Sequence, residues 1–453
     1  MRSQKKTLIL GAGIAGLSAA WHLRKKGISC PVFEKEGEVG GLCRSKKVRG
    51  FTFDYSGHLL HFKNPYALNL VRKLFGEQFV RHERSAWISA YGRTTRYPFQ
   101  ANLFGLPPRV IKECLEGFVR AQKRKHGESI KKTMNFSQWI RQTFGEGIAR
   151  HFMDPYNAKF WTVPPRELTC EWLDRMIPVP SLKQVFEGAK RESKKQLGYN
   201  VHFWYPGKGG IEQLPRAFAK SLEHVHTRSE ISRIDLAKRE IKTSSGRREK
   251  FDTLISTIPL PEMSRLIPGL SKEMRAVFNR LRWNSIFNLN LGVSLNGDTL
   301  KRHWIYFPQK ENCFFRVGFP HNFSSDLAPE GKGSLYAEVS YSDRKPINKQ
   351  EAISHITRDL KKTGLLSPKD KICAKDINDI EYGYPIYDRH YKAAREKALN
   401  FLNKNGIFPC GRYGSWKYMS MEDAILDGKR VAEMLTRAQE RERHCLRPSE
   451  KSG

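Results

Sequence analysis

A glycine-rich turn between an apolar segment and a helix-forming segment most constrains what this chain can fold into. Gly11, Gly13 and Gly16 lie between residues 7–10, which have the composition of a short buried strand, and residues 17–26, which have that of a helix. In such a βα unit Gly11 permits the turn, Gly13 lets the backbone approach a pyrophosphate, and Gly16 lets helix and strand pack closely. The helix N-terminus then faces the phosphates. The pattern predicts a dinucleotide-binding α/β domain.

An acidic residue after the next apolar segment supports this interpretation. Residues 30–33 have the composition of a second strand, and Glu34 follows them, 18 residues after Gly16. A carboxylate at this point can accept hydrogen bonds from ribose hydroxyls and would repel a 2′-phosphate. A glycine-rich turn in an unrelated α/β protein is the alternative, and the acid at the expected spacing argues against it.

Length and composition are those of a globular protein. With 453 residues, 39% of them hydrophobic, the chain can bury several cores. Its apolar runs are broken well before the roughly 20 residues that a transmembrane helix needs, so no membrane span is predicted. The eight cysteines are scattered, without a CxxC pair or a histidine at metal-ligand spacing. We therefore expect reduced thiols, a cytoplasmic location and no metal site.

The net charge is unusual and bears on the partner. The chain has 80 Lys and Arg against 46 Asp and Glu, a formal charge of +34, which favours anionic partners. The basic residues are spread along the chain, and no basic module with interleaved aromatic residues is present. The sequence therefore predicts an anionic small-molecule substrate and no specific nucleic acid partner.

Two further segments bear on the identity of the dinucleotide. Gly40, Gly41 and Arg44 follow the ribose acid, and Gly411-Arg412 follows a late apolar segment. Both resemble segments of the flavin amine oxidase superfamily, which includes the protoporphyrinogen oxidases. The resemblance implies an FAD cofactor, with the doublet and Arg44 near its diphosphate and the late segment near the flavin. No second Gly-x-Gly-x-x-Gly is present, so reducing equivalents would come from an external reductant such as NAD(P)H.

The resemblance also implies a divided fold. We expect an α/β protein in which a discontinuous Rossmann-like domain binds FAD and two inserted domains bind the substrate. The predicted parts are an FAD-binding domain (1–75, 205–275 and 400–440), a mainly helical substrate domain (76–204), an antiparallel-sheet substrate domain (276–399) and a basic tail (441–453).

Dispersed motifs narrow the resemblance to the UDP-galactopyranose mutases, in particular to their eukaryotic-type branch. The motifs occur in the same order over most of residues 7–435, and their aromatic, amide and cationic side chains suit a flat base, a polyol and a diphosphate. The motifs are Gly57-His58, YPFQ (97–100), DPYNAKFW (154–161), Asn200, WIYFP (304–308), Phe315-Arg316, GYP (383–385) and GRYGSWKY (411–418).

The resemblance assigns binding roles to these residues, although any one of the aromatic side chains taken alone could belong to a core. The uridine would be held by Tyr97, Gln100, Asn157 and Trp161. The diphosphate would be held by Arg316, Tyr384 and Tyr418, with Asn200, Trp304 and Tyr306 nearby. FAD would be contacted by Gly11, Gly13, Gly16, Glu34, Gly40, Gly41, Arg44, Gly57, His58, Gly411 and Arg412.

The resemblance makes two of these residues catalytic. His58 would lie beside the flavin and set the geometry and protonation around N5. There the reduced flavin would attack the anomeric carbon of a nucleotide sugar and form a flavin–sugar adduct, which would allow a pyranose ring to reclose as a furanose. Arg316 would stabilise the departing UDP, because its fork of N–H donors suits phosphate.

Two positions depart from the mutase pattern. Where the family has an arginine this chain has Met176, and Arg175 could take its place only with a shift of one residue. After Tyr418 the family carries an asparagine, which residues 419–423 do not supply. The nucleotide sugar need therefore not be UDP-galactose.

Two other functions compete with the mutase hypothesis. An oxidase or dehydrogenase of the amine oxidase or protoporphyrinogen oxidase type would share the FAD fold and remove hydride from its substrate. The charge of +34 argues against a cationic amine but not against an anionic porphyrinogen or an apolar carotenoid-like substrate. A basic flavoprotein that binds nucleic acid or an anionic membrane surface is the second alternative, and no recognisable module supports it.

Overall fold

The computed structural model describes residues 5–125, 134–173, 176–192, 197–198, 200–294 and 301–445. The strands are β1 (Thr7–Leu10), β2 (Val32–Phe33), β3 (Ser45–Val48), β4 (Phe51–Asp54), β5 (Phe79–Glu83), β6 (Ala86–Ala90), β7 (Arg93–Arg96), β8 (His202–Pro206), β9 (Val225–His226), β10 (Ile231–Asp235), β11 (Glu240–Thr243), β12 (Arg248–Lys250), β13 (Thr253–Ser256), β14 (Trp283–Ser294), β15 (Trp304–Tyr306), β16 (Arg316–Gly318), β17 (Lys332–Tyr341), β18 (Ile372–Pro385) and β19 (Ile407–Pro409). The α-helices are α1 (Ile14–Arg24), α2 (Pro65–Phe75), α3 (Pro108–Lys125), α4 (Phe136–Ile148), α5 (Asp154–Trp161), α6 (Leu182–Lys190), α7 (Gln213–Ala219), α8 (Met263–Leu266), α9 (Lys272–Asn279), α10 (Lys349–Lys362), α11 (Tyr391–Lys404), α12 (Gly411–Gly414) and α13 (Met421–Cys445).

A five-stranded parallel sheet forms the layer that carries the glycine turn. Its strand order is β19-β13-β1-β2-β9, so β1 lies at the centre between β2 and β13. Leu8, Ile9 and Leu10 are fully buried, as expected for a strand covered on both faces. The strands come from three separate stretches of the chain, which confirms the prediction of an α/β fold with a sheet that is discontinuous in sequence.

The last described helix completes this layer by packing on the first. The Ser18 hydroxyl of α1 donates a hydrogen bond to the Ile425 carbonyl of α13 at 2.7 Å. A Cβ atom on Gly428 would lie 2.6 Å from the Ala15 carbonyl oxygen, so the close approach of the two helices requires a residue without a side chain. Helix α13 continues to Cys445, so residues 441–445 of the predicted basic tail are helical, and residues 446–453 lie outside the described residues.

A seven-stranded sheet lies on the predicted substrate side, in the order β18-β14-β17-β16-β15-β6-β7. Strand β14 pairs antiparallel with both β17 and β18 along most of its length. Strand β6 pairs parallel with β15, so that Ala86 lies opposite Trp304 and Ile88 opposite Tyr306. Residues 86–96 therefore extend this sheet, although they fall within the stretch expected to be mainly helical. The alternation of buried and half-buried residues in β6 gives it the face that a sheet requires.

The stretch between β7 and β8 is mainly helical. Helices α3 and α4 pack closely, because a Cβ atom on Gly147 would lie 2.2 Å from the Glu113 carbonyl oxygen. Helix α4 begins at a capping box formed by Asn135 and Gln138. A π-helical turn, Ala149–Met153, leads from α4 into α5, which carries the DPYNAKFW motif. The exact domain boundaries stay a prediction.

Candidate active site

The glycine turn after β1 has the geometry that its spacing predicts. Gly11 has a φ of +96°, a conformation that favours glycine, and its N–H donates to the Phe33 carbonyl at 2.7 Å. A Cβ atom on Gly11 would lie 2.2 Å from the Thr257 hydroxyl oxygen, and one on Gly16 would lie 2.0 Å from the Gly11 carbonyl oxygen. The turn and the first helix are therefore packed too closely for side chains at either position.

The second glycine of the turn faces open space beside the glycine doublet. A Cβ atom on Gly13 would meet only the Gly41 Cα within 4 Å, at 4.0 Å. Gly13 and Gly40 form a parallel bridge, and the Gly40 N–H donates to the Ala12 carbonyl at 2.8 Å. Gly13 is also the N-cap residue of α1, which begins at Ile14. The doublet and a helix N-terminus thus lie side by side, and their free space and N–H groups fit a diphosphate.

The predicted ribose acid lies next to this turn. Glu34 is 5% exposed, and its two carboxylate oxygens accept hydrogen bonds from the Ala12 N–H at 2.8 Å and the Glu36 N–H at 3.0 Å. A carboxylate has about four acceptor positions, so each oxygen keeps a lone pair for a ribose hydroxyl. Glu34 therefore stabilises the turn, and its remaining acceptor positions fit a ribose.

Arg44 lies beside the glycine doublet in a network of its own. Its Nε donates to the Gly41 carbonyl at 2.9 Å, and its Nη1 is 3.3 Å from a Glu36 carboxylate oxygen. Its guanidinium also lies 4.4 Å from the centre of the Tyr55 ring. These contacts hold the arginine beside the doublet in a fixed orientation.

Gly411-Arg412 lies at the other end of this site, in α12. Gly411 has a φ of +75°, and its N–H donates to the Asp427 carboxylate at 2.7 Å. The Arg412 guanidinium donates through Nε and Nη2 to the Met419 carbonyl, at 2.9 and 2.5 Å. Met419 therefore takes part in the site through its backbone carbonyl, which accepts the hydrogen bonds of Arg412. It lies one residue past the predicted motif.

Two tyrosine rings flank the guanidinium of Arg412. Tyr384 and Tyr418 are stacked with their ring centres 5.7 Å apart, and Arg412 lies 5.2 Å from the first and 5.1 Å from the second. The Tyr418 N–H donates to the Tyr387 hydroxyl at 2.5 Å. The structure thus brings together three of the residues predicted from the sequence, although they belong to motifs at 383–385 and 411–418.

Arg316, the predicted diphosphate residue, forms a bidentate ion pair with Glu338. Its Nε and Nη2 lie 2.5 and 2.9 Å from the two carboxylate oxygens, and the two residues face each other across β16 and β17. Burial, the largest single effect, would lower the pKa of Arg316, but the charge and hydrogen bonds of Glu338 together with the nearby Tyr336 and Tyr384 outweigh it, so that this pKa lies well above its usual value. Sequence reasoning missed Glu338; a lone acid within the apolar segment 335–339 is the signal that could have found it.

His58 is joined to this ion pair through Ser56. The Ser56 hydroxyl donates to Glu338 at 2.6 Å, and the His58 Nδ1 donates to the Ser56 carbonyl at 3.1 Å. Burial lowers the pKa of His58 to about 4, and the charges of Arg412 and Arg316 add to that effect. The imidazole is therefore neutral near pH 7, and with a proton on Nδ1 its Nε2 is left as an acceptor.

The position next to His58 requires a glycine, Gly57, because the side chain of Tyr336 approaches its backbone closely. A Cβ atom there would lie 2.1 Å from the Tyr336 hydroxyl oxygen. Tyr336 is buried on β17, two residues before Glu338. The backbone of the His58 segment and the strand that carries the acid are therefore in direct contact.

An aromatic wall extends from these charges. The Tyr97 and Tyr306 rings are 5.3 Å apart, and Tyr156 meets Tyr306 edge-on at 5.4 Å. Trp304, 2% exposed, lies 6.5 Å from Tyr306. The wall thus combines residues of the motifs YPFQ (97–100), DPYNAKFW (154–161) and WIYFP (304–308). Tyr156 is part of this wall in addition to the residues that the resemblance assigns.

Arg84 is a second cation on the substrate side, besides Arg316. Sequence reasoning missed it. It is 2% exposed, and its guanidinium lies 4.8 Å from the centre of the Tyr97 ring. Its Nη1 donates to the Asn200 side-chain oxygen at 2.5 Å, and its Nη2 donates to the Leu197 carbonyl at 2.8 Å. Asn200 therefore lies next to the arginine that contacts Tyr97, for which it is an acceptor. Nothing in the segment around residue 84 distinguishes this arginine from the many others.

The remaining uridine candidates lie deeper, in the helical layer. Gln100 and Asn157 are 1% and 5% exposed, and their amide nitrogens donate to the Pro178 and Met153 carbonyls at 2.6 and 2.8 Å. Trp161 is 1% exposed and lies 6.1 Å from Tyr384. Among these three residues, the Trp161 indole nitrogen is the buried polar atom without a hydrogen-bond partner in the described structure.

Met176 lies at the position where the mutase pattern has an arginine. It is partly buried and packs against the largest apolar core, so it contributes no charge. Arg175, the other residue considered for this role, lies outside the described residues. Arg84 lies beside Tyr97, and Arg412 beside two tyrosines, so the described substrate side has cations other than the one that the pattern predicts here.

No described helix is long and apolar enough to cross a membrane. Among the described residues no group of His, Cys, Asp and Glu is arranged to hold a metal ion.

Comparison with known proteins places the chain in a family. The sequence model of the flavin containing amine oxidoreductases matches residues 14–436. Protoporphyrinogen oxidase 2 of Arabidopsis thaliana is 22% identical over 500 residues, which cover 96% of this chain and 94% of that protein. The 1-hydroxycarotenoid 3,4-desaturase of Flavobacterium sp. is 41% identical over 71 residues, 16% of this chain and 14% of the desaturase.

Solved structures agree with that assignment. A crystal structure of reduced UDP-galactopyranose mutase superposes with a TM-score of 0.90 and 29% identity, over 96% of this chain and 94% of that one. Putrescine oxidase bound to putrescine gives a TM-score of 0.66 at 18% identity, over 96% and 99%, a likeness of fold alone. The glycine turn, the ribose acid and the doublet fit the cofactor that this family uses. The chain is an FAD-dependent enzyme and belongs to the family of flavin containing amine oxidoreductases.

Proposed function

We propose that this protein is a flavin-dependent nucleotide-sugar mutase that interconverts the pyranose and furanose rings of a UDP sugar. The observation that carries the proposal is the cluster of His58, Arg316, Arg412 and Glu338 beside an aromatic wall. The likeness to reduced UDP-galactopyranose mutase, with 29% identity over nearly the whole chain, supports the same reaction class. FAD in its reduced form would supply the electron pair for covalent catalysis at the anomeric carbon.

In this proposal the arginines act on the diphosphate. Arg316 is paired with Glu338 before substrate arrives, so its fork is already oriented, and Arg84 is held by Asn200 and Leu197. The oxygens of a diphosphate can accept two parallel hydrogen bonds from each planar guanidinium. Preorganised donors stabilise the charge that develops on the leaving UDP without reorientation during the reaction.

His58 would act on protons beside the anomeric carbon. Because its pKa is lowered to about 4, it stays neutral and presents Nε2 as an acceptor for a hydroxyl or N–H group near the flavin. A neutral imidazole also avoids placing a third positive charge beside Arg316 and Arg412. Tyr97, with Gln100, Asn157 and Trp161, would bind the uridine by stacking and through the side-chain amides of Gln100 and Asn157.

The alternative is an FAD-dependent oxidase or dehydrogenase of the amine oxidase or protoporphyrinogen oxidase type. The full-length likeness to protoporphyrinogen oxidase 2, at 22% identity, is the observation that favours it. The buried arginines suit an anionic substrate under both hypotheses, so charge does not separate them. The arginines and tyrosines assigned to a diphosphate fit a mutase better than an oxidase that acts on an apolar substrate.

The decisive experiment is anaerobic incubation of dithionite-reduced protein with a panel of nucleotide sugars, followed by chromatography of the products. We expect a furanose product from a UDP sugar, with activity only after reduction and no net oxidation of the substrate. Steady oxygen consumption with stoichiometric substrate oxidation would instead establish the oxidase. Replacing dithionite by NADH or NADPH in the same assay tests the proposed external reductant.

The cytoplasmic location stays part of this proposal. Seven of the eight cysteines are described as free thiols, which suits a reducing compartment. Fractionation of the native host followed by detection of the protein tests it.

A further inference from the structure

A buried lysine on the motif helix α5 holds a loop of the antiparallel sheet. Lys159 is 7% exposed, and its ammonium donates hydrogen bonds to the backbone carbonyls of Phe307, Gln309, Asn312 and Phe314. The distances to Phe307, Asn312 and Phe314 are 2.9, 2.8 and 3.3 Å. All four acceptors belong to residues 307–314, the loop between β15 and β16.

The loop depends on this ammonium because of its own backbone. A buried carbonyl without a partner costs free energy comparable to a lost hydrogen bond, and carbonyls that converge on one point cannot satisfy each other. An ammonium has three donors, so the four carbonyls share them around a single positive charge. Lys159 therefore does for this loop what ladder hydrogen bonds do for a strand.

The loop is joined at both ends to residues of the site. Tyr306 precedes it and Arg316 follows it by one residue, and the Phe307 N–H donates to the Phe315 carbonyl at 2.9 Å across its base. On the other side, Lys159 lies on the same helix as Asn157 and Trp161. One side chain thus connects the helix assigned to the uridine with the hairpin that carries the diphosphate arginine.

A second polar chain holds the same loop from outside. The Gln309 side-chain oxygen accepts from the Tyr91 N–H at 2.9 Å. The Tyr91 hydroxyl lies 2.6 Å from His151 Nδ1, and His151 Nε2 lies 2.9 Å from a Glu113 carboxylate oxygen. The loop is therefore fixed to the helical layer from two directions, and Lys159 is the contact closest to the site.

We propose that Lys159 is a positioning residue, which sets the place of Arg316 relative to the uridine side by holding residues 307–314 through four carbonyls. The proposal rests on the proposed function for its effect on turnover, but its effect on the loop does not. The described hydrogen bonds of the Lys159 ammonium go to the loop carbonyls and not to the residues predicted to bind the uridine or the diphosphate. Lys159 therefore acts through the hairpin.

The test compares Lys159→Met with the matched control Lys345→Met. Lys345 is a partly buried lysine close enough to Lys159 to lower its pKa. Burial, with this charge, lowers the pKa of Lys159 to about 7, so assays at pH 6 keep the ammonium protonated. The first readout is hydrogen exchange of the amides in residues 307–315, which needs no substrate. We expect exchange to rise by about tenfold in Lys159→Met and to stay unchanged in Lys345→Met.

Turnover gives the second readout. We expect Lys159→Met to keep its FAD and to lose turnover by about 100-fold, because a displacement of about 1 Å has effects of this size. UDP affinity should fall by about threefold, which separates positioning from loss of the whole site. Lys159→Arg, which keeps the charge and adds donors, should recover part of the turnover.

Three results would overturn the proposal. They are unchanged exchange of the loop in Lys159→Met, equal losses in Lys345→Met, and exchange that rises evenly over the whole chain. If Lys159→Met does not fold, the same exchange measurement is made on Lys159→Arg. Exchange of the loop amides in Lys159→Arg that is as slow as in Lys345→Met, together with altered turnover, would count against positioning. If the wild type converts no nucleotide sugar, the proposed function fails, while loop exchange still decides the role of Lys159.

Discussion

The cofactor end and the substrate end of this molecule are built on different principles. At the cofactor end, glycines remove side chains so that backbone can approach backbone and leave room for phosphates, as at Gly13 and Gly40. At the substrate end, charged and aromatic side chains from distant segments meet, as do Arg316 and Glu338 or Arg84 and Tyr97. Substitutions should therefore act through steric fit at the first end and through charge at the second.

The largest effect is expected from filling the glycine turn. Gly16→Ala would place a Cβ atom 2.0 Å from the Gly11 carbonyl oxygen. The substitution would ordinarily favour a helix, yet here we expect loss of FAD and a decrease of about 3 kcal/mol in the free energy of unfolding. Flavin absorbance and thermal unfolding measure both.

Gly37→Ala is the matched control for that substitution. Its Cβ would lie 3.5 Å from the Arg228 Nε, an ordinary contact, so FAD content should be unchanged. Retention of FAD by Gly16→Ala would show that the cofactor end tolerates side chains, and the comparison between the two ends would fail there.

The next effect concerns the charge at the substrate end. Arg316→Lys should retain FAD and lose turnover by about 100-fold, because lysine keeps the charge but gives up the planar contact to a diphosphate. Turnover should fall by more than UDP affinity. Single-turnover rates and calorimetric UDP binding in the two proteins provide the test, and unchanged rates would remove Arg316 from the site.

Glu34→Gln sharpens the comparison, because it changes a charge at the end that is otherwise built from backbone. We expect weaker retention of FAD by about 1.5–3 kcal/mol, the value of a hydrogen bond to a charged group. UDP binding by the protein reloaded with FAD should not change. Equilibrium dialysis of FAD measures the first quantity, and an unaltered FAD affinity would assign Glu34 to the turn alone.

The smallest effect is a dependence of stability on pH. His58 has a pKa of about 4 in the folded protein against an ordinary value of 6.5, so between these values the unfolded chain binds more protons. The contribution of this residue is complete above pH 6.5 and is lost as the pH falls toward 4. In that window we expect the wild type to lose about 1–2 kcal/mol more than His58→Asn.

Urea unfolding of both proteins at pH 6.5 and pH 4.5 checks this prediction. His61 and His303, whose pKa values burial also lowers to about 4, are present in both proteins and cancel in the difference. Parallel losses in the two proteins would mean that His58 is accessible to protons in the folded state.

The cofactor end was largely predictable from sequence, because its determinants are local. Strand β1 has the predicted bounds, and the glycine turn and Glu34 follow within 24 residues of it. The deviations are small: α1 begins at Ile14 rather than at residue 17, because the last part of the glycine turn is already helical. The second strand is reduced to Val32–Phe33.

The substrate end was less predictable, because its partners are far apart in the chain. The resemblance named Arg316, but its partner Glu338 is known only once β16 and β17 are in register. Arg84 is one of 80 basic residues, and only the fold separates it from the exposed ones. The roles of the individual residues at this end stay predictions.

The packing of α13 on α1 has a consequence for biosynthesis. The glycine turn leaves the ribosome first, but the edge strand β19 and the helix that covers α1 are made about 400 residues later. Until then a nascent chain carries every residue of the turn with one face of α1 bare, a surface that chaperones bind. A chain shortened before Ile407 would keep the whole N-terminal motif and still be unable to enclose the flavin. We therefore expect stable uptake of FAD only after β19 and α13 have been made.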